Sequence, residues 1–112
     1  MKRGEVWWAT MPEPSASEPG FRRPVLILQS NEFNQSRINS IIAAAISSNM
    51  KLGLAPGNVT LSKKSAGLDR ESVINVSQLI TLDKSFLTDR VGKIPTTKMQ
   101  AVDDGVRLVL DL

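Results

Sequence analysis

Hydrophobic positions come in short runs, separated by polar stretches rich in Pro and Gly. Residues 5–11 are apolar, with Trp7 and Trp8 adjacent, and predict a strand in which the two indoles face opposite sides. Residues 12–20 carry three Pro, two Ser and one Gly and predict a restricted loop. Residues 24–29 are continuously apolar and β-branched up to Gln29, as a buried strand would be. Residues 31–39 are polar and turn-rich. The Ile-rich stretch 40–48 then predicts another strand and 49–57 a loop containing Gly53, Pro56 and Gly57. Val59 and Leu61 alternate with polar neighbours in a half-buried strand over 58–62, followed by a basic turn over 63–70. Residues 72–78 form the next strand; 79–82 either extend it or open the following turn. One helical turn over 83–86 and a last strand over 87–94 complete the β portion. Met99, Val102, Val106 and Val109 recur at helical spacing behind an N-cap at Thr96 or Thr97. Gly105 weakens that helix by about 1 kcal/mol relative to Ala.

Many short strands ending in one helix predict a mainly β (β with α) fold, a small curved antiparallel sheet or partial barrel. The 112 residues suit one domain spanning 1–112. The longest apolar run, residues 41–46, is far shorter than the ~20 residues a membrane helix needs. No apolar segment follows the basic N-terminus as in a signal peptide, so a cytoplasmic location is expected.

The residue inventory restricts the chemistry further. There is no Cys, no His and no Tyr, which removes thiol nucleophiles, disulfides, histidine bases and the common zinc sites. Activity must therefore run on Arg, Lys, hydroxyls, carboxylates, amides and backbone. The charge is uneven: residues 1–64 hold eight Lys/Arg against four Asp/Glu, whereas residues 65–112 hold six against seven. A basic first half fits a polyanionic partner as well as plain solubility.

The segments that follow one another along the chain resemble a known family. They are Lys2-Arg3-Gly4-Glu5-Val6-Trp7, Ser17-Glu18, Arg23-Pro24-Val25-Leu26-Ile27, Ala44-Ala45-Ile46-Ser47, Arg70-Glu71-Ser72-Val73-Ile74 and Gln78-Leu79-Ile80-Thr81-Leu82-Asp83. In this order, over essentially the whole chain, they resemble the MazF/PemK family of toxins from bacterial toxin–antitoxin pairs. The resemblance implies an SH3-like barrel, a homodimer, and cleavage of single-stranded RNA without a metal or other cofactor. It also implies a cognate antitoxin (MazE-like) that covers the RNA groove, and products ending in a 2′,3′-cyclic phosphate and a 5′-hydroxyl. Arg23 falls where the family has its catalytic Arg. Ser47 falls where a Thr is usual, so the hydroxyl is kept, and Ser48 beside it offers a second one. Two departures stand out. The family loop close to Gly-Ser-Glu-Gln-Gly reads Ala16-Ser17-Glu18-Pro19-Gly20 here. Asn75 and Ser77 replace the Arg and Asp of the PemK-like branch, which favours the MazF-like one.

RNA carries its own nucleophile, the 2′-hydroxyl, so missing Cys and His do not exclude cleavage. The protein must remove the 2′ proton, stabilise the charged phosphorane and assist the leaving 5′-oxygen. A planar guanidinium matches two phosphate oxygens, which suits Arg23; a serine hydroxyl donates one further hydrogen bond, which suits Ser47. Glu18 is the nearest carboxylate to act as base. Arg22, Lys51, Lys63 and Lys64 are candidate phosphate contacts, Trp8 a base-stacking residue, and Asn75, Ser77 and Gln78 readers of base edges. Residues 51–56, following Ser47 closely, are expected to form a mobile loop near the site. Two alternatives stay open: a gyrase poison of the CcdB type, and a non-catalytic SH3-like module that binds RNA or protein.

Overall fold

The computed structural model describes residues 1–11 and 21–112, and its architecture is one antiparallel sheet of six strands carrying a C-terminal helix. The strands are β1 (Glu5–Met11), β2 (Phe21–Ile27), β3 (Ser40–Ser47), β4 (Val59–Leu61), β5 (Ser72–Asp83) and β6 (Leu87–Lys93). They lie in the order β4-β5-β3-β2-β1-β6, and the sheet curls into a half-barrel. A short helix α1 (Asn31–Gln35) joins β2 to β3, and α2 (Thr96–Leu110) closes the chain. No helix among the described residues is long and apolar enough to cross a membrane.

The central strands are apolar without alternation because both faces of the sheet are packed. Leu26, Ala44 and Ile46 point into a core with Val6, Ile74, Val76 and Val102, capped by Met99 and Val106 of α2. Their sequence neighbours Val25, Ile27 and Ala43 point the other way, into a second core with Ile41, Ala9, Leu82 and Leu87. Trp7 packs on this second core. Trp8, one residue on, takes the opposite face as the alternation predicts.

Several expectations are corrected. β2 begins at Phe21, because the charged Arg22 and Arg23 hid a strand that pairs with β1 through Arg22↔Thr10 and Arg23↔Ala9. The polar stretch after it contains α1, N-capped by Ser30 and tied down where Gln29 donates to the Asn34 side chain and Asn34 donates back to the Gln29 carbonyl. Residues 50–54 form a 3-10 turn, held by an Asn58 side-chain bond to the Leu52 carbonyl, within the stretch the sequence predicts as a loop. β5 runs through residues 79–82 to Asp83, and the turn after it is a 3-10 helix at Lys84–Phe86. Neither Thr96 nor Thr97 caps α2. Pro95 takes the N-cap position, its carbonyl receiving the Met99 N–H at 3.0 Å. The apolar stripe of α2 is buried at Val102 but has emerged into solvent by Val109.

Gly105 also has a role opposite to the propensity argument. It lies in direct contact with Gly57, and a Cβ at 105 would collide with the Gly57 carbonyl oxygen. Gly57 itself sits at φ +85°, where other residues are strained. The pair lets α2 approach the turn before β4 closely enough to seal the first core.

One polar cluster stabilises the N-terminal strand. Glu5 is buried, and its carboxylate accepts from the Lys2 backbone N–H, the Trp7 indole and the Arg90 guanidinium at 2.8–3.0 Å. Burial alone would raise its pKa, but these donors together hold it down to about 2.

Candidate active site

The site begins with Pro24. Its ring forces the preceding residue into extended backbone, which fixes Arg23 on β2. β2 and β3 pair through Val25↔Ala45, Leu26↔Ala44 and Ile27↔Ala43. Continuing that antiparallel register by one pleat brings Arg23 across from Ser47, at the open end of both strands. The two residues share a cleft of about 400 Å³, whose lining includes Trp8, Arg22 and Ser48. The β4–β5 connection contributes Leu68, Asp69 and Arg70 to the same lining.

Arg23 also borders a second cleft of about 420 Å³ on the other side of the sheet, lined by Val25, Ala45 and the β5 residues 78–82. The first cleft is polar and cationic; the second is mostly apolar, with Gln78 and Arg23 as polar members of its lining. Both volumes lie within the range of roughly 300–1,000 Å³ usual for small-ligand sites. Arg23 therefore stands between a charged compartment suited to phosphate and an apolar one suited to a base.

The hydroxyl of Ser47 is oriented by its neighbours. Its Oγ accepts the Asn49 backbone N–H at 3.1 Å, which leaves the hydroxyl proton to be donated outward. Ser48 lines the same cleft but is exposed. Arg22 lies over the Trp8 ring, 4.2 Å from its centroid, and pairs with Asp89 at 3.0 Å. One face of the indole is thus already occupied, and a base stacking there would have to displace Arg22.

A bulge explains the behaviour of the β5 candidates. Ala44 pairs with Leu79 but Ala45 pairs with Asn75, so residues 76–78 have no partner on β3. Asn75 folds back on this bulge and accepts from both the backbone N–H and the hydroxyl of Ser77. Gln78 emerges beside Arg23. Lys51, Asn75 and Ser77 do not line either cleft. Glu18 lies outside the described residues, and among those described no three acidic side chains converge as metal ligands would. The local pattern places Asp69 and Arg70 in a basic turn. Arg70 opens one of the segments that carry the family resemblance, but nothing in the local pattern brings it to the same cleft as Ser47.

Comparison with known proteins agrees along the whole chain. The profile of the PemK-like, MazF-like toxins of type II toxin–antitoxin systems matches residues 2–110. Endoribonuclease MazF6 of Mycobacterium tuberculosis H37Rv is 49% identical over 112 residues, covering 100% of this chain and 98% of that protein. Endoribonuclease EndoA of Bacillus subtilis 168 is 34% identical, covering 100% and 96%. Among solved structures, a MazE–MazF crystal structure from Deinococcus radiodurans superposes with a TM-score of 0.82 at 22% identity, over 100% of this chain and 96% of that one. This last likeness shows the fold.

Proposed function

Because the chain belongs to the PemK-like, MazF-like toxin family of type II toxin–antitoxin systems, we propose that it is a metal-independent endoribonuclease using Arg23 and Ser47. Its substrate is single-stranded RNA, cut at a short sequence. The observation that carries this reading is the placement of Arg23 and Ser47 on one cleft, with Arg22 and Arg70 adding positive charge around them. The 49% identity to an endoribonuclease favours catalysis over a gyrase poison or a passive binding module.

In the reaction, the 2′-oxygen of the nucleotide before the cut attacks the adjacent phosphorus. The bond to the 5′-oxygen of the next nucleotide breaks, leaving a 2′,3′-cyclic phosphate and a 5′-hydroxyl. Arg23 spreads two N–H donors across the phosphorane oxygens, and Ser47 donates a third hydrogen bond. Glu18 is the proposed acceptor of the 2′ proton, and the departing 5′-oxygen takes up one proton from solvent, so the proton count is unchanged. Arg22 tracks the backbone, and Gln78 reads a base edge in the second cleft. The toxin acts in the cytoplasm as a homodimer, and an antitoxin silences it by covering the same cations. Incubating the purified protein with a long single-stranded RNA in EDTA tests this reading. Cuts at a recurring short sequence are expected, and an Arg23→Ala protein that cuts as fast as wild type would overturn the assignment.

A further inference from the structure

Arg22 and Arg70 both line the first cleft, but they are held very differently. Arg22 lies over the Trp8 ring and is paired with Asp89 at 3.0 Å. Among the described residues, Arg70 meets a carboxylate in its neighbour Asp69, at 3.7 Å, and both side chains are largely exposed. The backbone beneath Arg70 is nevertheless fixed. Leu68 is buried before it and Ser72 after it, and the Ser72 hydroxyl donates to the Arg70 carbonyl at 3.2 Å. The Leu68 carbonyl in turn accepts the Lys64 N–H at 3.0 Å. A guanidinium on an anchored backbone, loosely paired and facing a cationic cleft, is built to meet an incoming anion at small reorganisation cost.

We propose that Arg70 is a further phosphate-binding residue, holding a backbone phosphate next to the scissile one while Asp69 serves as its counterion in the unliganded protein. This rests on the RNA-cleaving assignment above and adds a positioning contact to it. On binding, the phosphate replaces the Asp69 carboxylate on Arg70, and the scissile phosphate is held at Arg23 in the same cleft. Asp69 thereby also disfavours weak anions, since each must displace it.

The test uses an RNA carrying the mapped cleavage sequence with a 2′-deoxy nucleotide at the scissile position, titrated over a range of salt. Arg70→Gln is expected to weaken binding several-fold and to reduce the slope of log K against log salt by about 0.7, the value of one lost single-strand phosphate contact. Arg70→Lys is expected to keep the wild-type slope, and Asp69→Asn to bind more tightly than wild type. On cleavable RNA, the loss in Arg70→Gln falls more on KM than on kcat. An Arg70→Gln protein with wild-type affinity and salt slope, or an Asp69→Asn protein that binds more weakly, overturns the inference. If the wild type itself neither binds nor cuts RNA, the functional assignment fails; if it does both while Arg70→Gln behaves as wild type, only the role of Arg70 fails.

Discussion

Two arginine–carboxylate pairs show how the molecule divides its charges. Arg90 and Glu5 meet at 2.8 Å, with the carboxylate only 11% exposed and every donor around it aligned. Arg70 and Asp69 meet at 3.7 Å with side chains 69% and 88% exposed. The residue types are the same, but their use differs. The first pair is finished within the fold and joins β1 to β6. The second is left incomplete at the mouth of a cleft, where a phosphate can finish it. Exposed pairs of this second kind add almost nothing to stability, so the protein can use them for binding without weakening its core.

If that division is right, charges at the cleft and charges in the fold should fail differently. The largest effect is expected for Arg23→Ala, a loss of about 100- to 1,000-fold in cleavage rate with the melting temperature unchanged, by single-turnover kinetics and calorimetry. Ser47→Ala should lose about 10- to 100-fold, being one hydroxyl donor among several, while Ser48→Ala falls much less in the same assay. Glu5→Gln should reverse the pattern. Urea titration should show it destabilised by on the order of 2 kcal/mol, with activity per folded molecule retained. Its pH dependence has a fixed sign. The depressed pKa of Glu5 means its contribution is complete above its ordinary value of 4.5 and is lost as pH falls toward about 2. Wild type should therefore lose stability over that window, and Glu5→Gln should lose less. Gly105→Ala should be of similar size, about 1–3 kcal/mol less stable by the same titration, although helix propensity alone predicts a gain.

Gly105 illustrates where the sequence stopped being readable. Its cost to α2 is visible from composition, but its contact with Gly57 joins residues 48 positions apart and exists only after folding. The strands were readable wherever both or alternate positions were apolar, as in β3 and β4. β2 was misjudged at its start because Arg22 and Arg23 are the functional residues and break the apolar pattern. α1 is too short and polar to show periodicity. Arg23 and Ser47 became candidates through family resemblance, since an arginine before a proline and a serine ending a strand are common surface features. Arg70 had no local signal at all. Its position against Ser47 follows from the long β4–β5 connection, and its meaning from how loosely it is paired.

The account turns on the RNA supplying the nucleophile that a chain without Cys or His lacks. The most direct measurement maps the cut on a natural RNA in EDTA and then resynthesises that RNA with a single 2′-deoxy nucleotide on the 5′ side of the cut. The account predicts a 2′,3′-cyclic phosphate on the native RNA and no cleavage at that bond in the 2′-deoxy RNA. Cleavage of the 2′-deoxy RNA at the same bond would contradict it.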